Sequence, residues 1–475
     1  MLKLFRDKGF WHTAFRLATP IAFQNMLISS FTLADTLFVS QLGDISLSAV
    51  GMMGQWGWLL NMILIGISSG ASVFVAQYWG IKNIKRINMT CGIAVLSAVI
   101  VSGIFTTLSL VAPEFVINIF NNNPSVIDEG KRYLLIVCAS YPAVAITNIL
   151  SSVLRSVENV KLPMYVSVLT TVLNIILDYG MIFGKFGFPA MGIKGAALAT
   201  SFSAWVGVLA ILTVSMIKKN ILYAPIKHTF GFRFKDIEEF YKKALPVIFN
   251  ESMWGAGTFA FNIIFGHMGY EYFAAITILR SFENIAFVFF IGICNACCIM
   301  VGKSVGKGKI ERGVQDSKRF VLLVPMLALI VSVLIFTLRA QLIGIFNLNN
   351  NITQVTLDAA MTIMAIYAFE FTVRQMPYIL IVGVFRSGGD TVTGVKFDLF
   401  CLWCLSLPAT LISVYLLKLP FTVAFAVMYI FEDYAKTILC LRYYKSMKWI
   451  KPVTAEGKNG LKEYFRQKDV KNGAQ

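Results

Sequence analysis

Three carboxylates lie inside long apolar stretches of the sequence and have no basic residue three or four positions away: Asp35, Asp178 and Glu251. An ionised carboxylate in an apolar phase is costly unless it has a partner, a proton or a metal ion. Unpaired acids inside a membrane are therefore candidates for a functional site. The structural alternative for each is an acid that caps or hydrogen-bonds a neighbouring helix.

Asp35 and Asp178 are predicted to lie at one depth together with two neutral oxygen donors. Asp35 is about five residues, or roughly 7–8 Å, from the outer end of the first helix. Asp178 lies at a similar depth on the fifth helix. Asn174 is one turn deeper on the face of Asp178, and Thr200 reaches this level on the next helix. Hard cations prefer oxygen ligands, and close carboxylates readily share a proton. The four residues form a candidate site for Na⁺ or H⁺.

Other acids in the second half have a basic residue on the same helix. Such pairs can neutralise each other locally and are predicted to be structural. The pairs are Arg280 with Glu283, Glu370 with Arg374, and Glu432 with Lys436. Glu370, which lies near the middle of its apolar stretch, is kept with Glu251 as a second-lobe candidate, whereas Asp433 cannot be placed.

The composition is that of a polytopic membrane protein. The 475 residues are 57% hydrophobic and 14% charged, with a mean hydropathy of +0.70, whereas soluble domains are about one quarter charged. The net charge of +17 comes from basic residues clustered between apolar runs. This pattern is typical of cytoplasmic loops and excludes nucleic acid as a partner.

Twelve apolar stretches are long enough to cross a bilayer as helices. Lys and Arg concentrate in the segments that would be inside if the first residues are cytoplasmic, so both termini are predicted in the cytoplasm and the protein in the cell membrane. The spans are predicted near 17–40, 50–79, 91–112, 132–154, 163–183, 192–217, 244–266, 273–301, 320–343, 358–381, 397–417 and 420–441.

The two halves of the chain repeat. With a shift of 226 residues Pro20 meets Pro246 and Gly66 meets Gly292, and with a shift of 231 residues LRS at 154–156 meets FRS at 385–387. Matched glycines indicate matched bends or close helix contacts. Two parallel six-helix repeats are typical of secondary transporters. The predicted divisions are an N-terminal lobe at 1–225, a C-terminal lobe at 226–445 and a basic cytoplasmic tail at 446–475.

Several motifs resemble the multidrug and toxic compound extrusion (MATE) family. They are LATP…ADTLFVSQLG…AVG, VAQYWGIKNIKR, LRSVENVKLPMYVSVLTTVLNIILDYGMIFG and MGIKGAALAT, with second-half echoes in ALPVIFNES…GKSVGKGKIERG and FRSGGDT. The resemblance covers roughly residues 14–445. It implies an all-α integral membrane fold of twelve helices in two pseudo-symmetric lobes.

The resemblance also implies an antiporter that exports organic cations, drugs or other amphipathic compounds while Na⁺ or H⁺ flows inward. It assigns a first-lobe cation site to Asp35, Asn174 and Asp178, with Thr200 a looser match. A flippase for lipids or lipid-linked oligosaccharides is the alternative within the superfamily. A catalytic motif with workable context is absent from the sequence, so an enzyme is not expected, and neither is a cofactor.

The helices expected to face a central cleft carry amide, aromatic and methionine side chains, a mixture that suits varied apolar cations. The substrate-cavity candidates are Gln24, Asn25, Gln55, Asn61, Tyr141 and Met253. Proline removes a backbone hydrogen bond and lets a helix bend, so Pro20 and Pro246 are the predicted hinges, with a static kink as the alternative. The resemblance of Pro20 to the family's first-helix proline implies a bend coupled to cation occupancy. The expected partners are small-molecule substrates, Na⁺ or H⁺ and membrane lipids, and we expect a monomer.

Overall fold

The computed structural model describes residues 7–120, 124–346 and 353–473, and this part of the chain is almost entirely helical. Twelve long helices follow one another, with short helices at Pro113–Asn118 and Ile226–Thr229. They are α1 Lys8–Ser40, α2 Asp44–Gly80, α3 Ile84–Val111, α4 Pro124–Ser156, α5 Lys161–Phe183, α6 Ile193–Ile217, α7 Phe234–Gly266, α8 Tyr270–Gly306, α9 Ile310–Phe346, α10 Gln354–Gly388, α11 Thr391–Leu416 and α12 421–445. A further helix, α13, spans Ala455–Gly473.

Each predicted span coincides, to within a residue, with part of one of these twelve helices. Ten helices in the described part of the chain are long and apolar enough to cross a membrane. The other two long helices, α7 and α12, also contain charged residues: α7 begins with FKDIEEFYKK, and α12 contains Glu432, Asp433 and Lys436. The predicted all-helical membrane fold is therefore confirmed.

The chain forms two compact units whose boundaries fall inside helices. One unit is Phe23–Ile248, and the other combines the residues up to Ala22 with those from Phe249 onward. The helices α1 and α7 therefore each contribute to both units. The two boundaries are 226 residues apart, which is the shift that aligns the repeats, and each lies two residues beyond a proline, Pro20 in α1 and Pro246 in α7.

The repeat-related glycines Gly66 and Gly292 make equivalent close helix contacts. A Cβ added to Gly66 would lie 2.5 Å from Cα of Ile248, and one added to Gly292 would lie 2.7 Å from the carbonyl oxygen of Ala18 and 3.1 Å from Cβ of Ala22. Ala22 and Ile248 are themselves matched by the 226-residue shift. Small residues let helix backbones approach in this way, so the predicted reason for the matched glycines is confirmed.

Replacing Gly66 by alanine should destabilise the protein by about 1–3 kcal/mol, because the new methyl group overlaps the backbone of α7. The matched control is Gly54→Ala, on the same helix, where an added Cβ meets nothing within 4 Å. Thermal unfolding of the purified variants in detergent measures both. Equal unfolding temperatures would contradict the contact.

The segment after α12 packs against the unit that contains the residues from Phe249 onward. Trp449 is fully buried, and its ring and carbonyl group lie against Gly388. The backbone N–H of Lys451 donates to the carbonyl of Gly388 at 2.7 Å, and the Thr454 hydroxyl donates to that of Gly306, also at 2.7 Å. The helix α13 follows directly, so the predicted basic tail contains a docked strap and a helix.

Candidate functional site

The centre of the candidate site is the buried face of α5. Asp178 has no solvent exposure, and neither of its carboxylate oxygens has a hydrogen-bond partner. One turn earlier, Asn174 is also buried, and its Oδ1 lacks a partner. The Asn174 side-chain N–H₂ group donates to the hydroxyl of Thr200 on α6 at 3.5 Å, a long hydrogen bond. The predicted one-turn stacking of Asn174 and Asp178 and their proximity to Thr200 are thus present.

Asp35 on α1 joins this group. Its side chain is half-buried, and its Oδ1 is fully shielded and without a partner. Its carboxylate is close enough to interact electrostatically with that of Asp178. Tyr133, a buried residue of α4, lies near both carboxylates but does not hydrogen-bond to their shielded oxygens. Sequence reasoning missed Tyr133, and the available signal was a phenol near the outer end of the fourth span.

The unpaired atoms define what the cluster can bind. Four shielded oxygens, from Asp35, Asn174 and both positions of Asp178, lack a hydrogen-bond donor. Buried polar atoms of folded proteins almost always have a hydrogen-bond partner. These oxygens therefore require bound protons or a cation. The donors are all oxygens, which is the set that a hard cation such as Na⁺ prefers. The residues present therefore fit either Na⁺ or H⁺.

This oxygen cluster belongs to one repeat. The 226-residue shift places Phe261 opposite Asp35, and the 231-residue shift places Leu405 opposite Asn174 and Ala409 opposite Asp178. The positions in the second half are apolar and cannot coordinate a cation. The two halves share a fold but differ in chemistry at these positions.

The expectation that Glu251 is unpaired is wrong. A guanidinium nitrogen of Arg386 lies 2.9 Å from Oε1 of Glu251, and the two side chains are 5% and 19% exposed. The two residues are 135 positions apart in the chain. The spacing of charges along one helix therefore could not predict this pair. Glu251 is therefore one partner of a buried ion pair. The unpaired charge that suggested a cation site at Glu251 is absent, and its role as a second-lobe candidate stays a prediction.

Two of the three predicted same-helix pairs are also wrong. Arg374 pairs with Glu283 across helices at 2.6 Å instead of with Glu370, and Arg280 donates to the side-chain carbonyl of Asn262. Side chains at i and i+4 share a helix face, but each of these arginines binds a better-placed partner on a neighbouring helix. The third pair is confirmed, since Lys436 lies 2.9 Å from Glu432, and it also contacts Asp398 at 2.6 Å.

Glu370 loses its predicted arginine partner and keeps one unsatisfied atom. The Tyr434 hydroxyl lies beside its carboxyl group, while Oε2 is shielded and has no partner. Asp433, which the sequence could not place, is buried and likewise has one unpartnered oxygen. It lies in the π-helical turn Ile430–Tyr434. Glu370 remains a second-lobe candidate.

The substrate-cavity candidates occupy different environments. Gln24 is buried and bonded at both ends, accepting from Arg155 at 3.1 Å and donating to Ser167 at 3.0 Å. Tyr141 is buried with an unbonded hydroxyl, and Asn61 accepts a 3.4 Å hydrogen bond from Asn148. Gln55 is exposed, whereas Asn25 and Met253 are half-buried. Their contact with substrate stays a prediction.

The helical fold is that of membrane transporters with known structures. A MOP superfamily transporter from Pyrococcus furiosus superposes with a TM-score of 0.83 at 18% identity, covering 92% of this chain and 95% of its own. The Vibrio cholerae MATE transporter VcmN in its bent form also gives 0.83, at 16% identity over 93% and 99%. The predicted MATE fold is confirmed.

The sequence profile of the MatE family matches residues 20–180 and 246–412. The chain belongs to the MatE family, as its motifs predict, and is a multi-pass membrane transporter of an ion-coupled family. It is 29% identical, over 92% of either chain, to the "Probable multidrug resistance protein NorM" of Thermotoga maritima.

Proposed function

We propose that this protein exports organic cations, drugs and other amphipathic small molecules in exchange for Na⁺ or H⁺. The observation that carries the proposal is the group of shielded, unpartnered oxygens of Asp35, Asn174 and Asp178. A buried site that lacks only a positive charge is what a coupling cation requires. The similarity to a protein named for multidrug resistance supports the substrate class.

Coupling requires that the cation and the substrate favour different conformations, because a ligand with equal affinity for two states shifts neither. Binding of Na⁺ or H⁺ at Asp35 and Asp178 neutralises buried charge on α1 and α5. We propose that this change favours the conformation that releases substrate outside. Release of the cation on the other side then restores the form that captures substrate from the cytoplasm or the inner leaflet.

The hinges of this cycle are Pro20 and Pro246. Each proline lies within a long helix, two residues before that helix passes from one compact unit to the other. A proline removes one helical hydrogen bond and allows a bend. Any movement between the two units during the cycle would require these two helices to bend, which supports the two prolines as pivots.

Transport by the purified protein in lipid vesicles tests the proposal. We expect a fluorescent organic cation, rhodamine 123, to be expelled when either a Na⁺ gradient or a pH gradient is imposed, and to stop moving when that gradient is collapsed. Each gradient is imposed alone, so the responding one identifies the coupling ion. Reorientation of labelled lipid without gradient-driven dye movement would overturn the antiporter in favour of a flippase.

A further inference from the structure

Arg155 is a charged residue near the end of α4 for which the described part of the chain supplies no acid. Its guanidinium donates to the side-chain oxygen of Gln24 at 3.1 Å. No carboxylate among the described residues lies within 4.0 Å of its guanidinium nitrogens. Arg155 as a whole is half-buried. A guanidinium has five N–H donors, and one amide oxygen satisfies few of them.

The repeat-related arginine has the carboxylates that Arg155 lacks. Arg386, matched by the 231-residue shift, pairs with Glu251 at 2.9 Å and interacts electrostatically with Asp398. The same shifts place Asn25 at the position of Glu251 and Ser167 at that of Asp398. Both acids are therefore replaced by neutral residues in the first half, while the arginine is retained.

Arg155 and Arg386 occupy equivalent positions, because the hydrogen bonds between the neighbouring helices are the same in both halves. Gln24 donates to Ser167 at 3.0 Å, and its counterpart Asn250 donates to Asp398 at 2.9 Å. The same pair of helices is bridged at the same level in each half. What differs is the charge, which is balanced around Arg386 and unbalanced around Arg155.

We propose that Arg155 binds the carboxylate of an amphipathic substrate, with Gln24 fixing the guanidinium and Asn25 at the position matched to Glu251. The substrate then supplies the negative charge that Glu251 supplies in the other half. A planar guanidinium pairs with a carboxylate through two parallel hydrogen bonds, which makes it selective for that group. The inference rests on the proposed export function and assigns the residue that recognises the carboxylate of a zwitterionic substrate.

The position of Arg155 at the end of a helix does not account for the missing acid. A cation in the last turn is stabilised by the helix dipole, and Arg155 is in the last turn of Tyr141–Ser156. Arg386 is likewise next to a helix end, at Arg386–Gly388, and still has a carboxylate partner. The dipole effect is worth less than a paired, desolvated charge.

Two dyes that differ by one methyl group test the assignment. Rhodamine 110 has a free carboxylate, and rhodamine 123 is its methyl ester. Fluorescence anisotropy of the purified full-length protein in a neutral detergent gives the Kd for each dye. We expect Arg155→Gln to weaken rhodamine 110 by at least about tenfold relative to rhodamine 123, because a charge-assisted hydrogen bond is lost.

A second variant fills the site without removing the arginine. Asn25→Glu places a carboxylate where the other half has Glu251, and it should displace rhodamine 110 selectively. Lys161→Gln, which removes an exposed charge from the start of α5, is the control and should leave the ratio of the two Kd values unchanged. A ratio unaltered by both Arg155→Gln and Asn25→Glu would overturn the proposal.

Two further outcomes separate this inference from its alternatives. Competition by phosphatidylglycerol added to the micelles, against rhodamine 110 but not rhodamine 123, would assign the site to a lipid phosphate and overturn the substrate carboxylate. Equilibrium binding needs no gradient, so a protein that shows the dye selectivity but no gradient-driven efflux would refute the antiporter and leave the arginine site standing.

Discussion

Replacing Asp178 by asparagine is expected to abolish the effect of the coupling cation on substrate affinity. Coupled sites typically change each other's affinity by about 5–150-fold, and this factor should fall to one, because an amide carries no charge for the cation to neutralise. The measurement is the Kd of rhodamine 123 with and without saturating Na⁺, or at two pH values. Asp35→Asn should reduce the factor in the same direction.

Asparagine has nearly the shape of aspartate, and this separates loss of coupling from loss of folding. Without cation, Asp178→Asn should unfold at the same or a higher temperature than the wild type, because it removes a buried charge with no partner. Asp128→Asn, which removes an exposed carboxylate paired with Arg132 in the same unit, is the control. Retention of the full cation response by both Asp35→Asn and Asp178→Asn would contradict the site.

Replacing Arg386 by glutamine should cost about 3–5 kcal/mol of folding free energy, because it leaves Glu251 as an uncompensated buried charge. Unfolding in detergent at neutral pH measures this loss. The comparison is Arg132→Gln, whose partner Asp128 is exposed and whose loss should cost only about 0–1 kcal/mol. Equal costs for the two variants would show that the buried pair contributes no more than a surface pair.

The double variant Arg386→Met with Glu251→Leu tests the cause of that loss. Replacing both charges together removes the uncompensated one, so much of the stability should return. Arg155→Gln should not destabilise the protein as Arg386→Gln does, because no carboxylate paired with Arg155 becomes uncompensated. It should be neutral or stabilising when no ligand is present, although it occupies the position matched to Arg386.

The sequence predicted those features that depend on local pattern. The twelve spans follow from apolar stretches long enough to cross a bilayer, and the Gly66 and Gly292 contacts follow from the repeat. The stacking of Asn174 and Asp178 follows from helix geometry alone. Each of these depends on residues that are near one another in the chain or related by a constant shift.

The cross-helix pairings were not predictable in the same way. Arg374 could pair with Glu370 on its own helix or with Glu283, 91 positions away, and only the packing of α8 against α10 selects the latter. Glu251 looked unpaired because Arg386 is 135 positions distant. Tyr133 was missed because a single phenol within a helix has no periodicity to reveal its role.

The division of α1 between two compact units has a consequence during synthesis. The residues up to Ala22 leave the ribosome first, but the rest of their unit begins only at Phe249. At roughly 5–20 residues per second, the intervening Phe23–Ile248 takes about 10–45 s to translate. For that time the leading segment lacks the partners that it has in the folded unit, such as Phe320 for Phe10, so its apolar side chains must be shielded by the lipid or by other proteins.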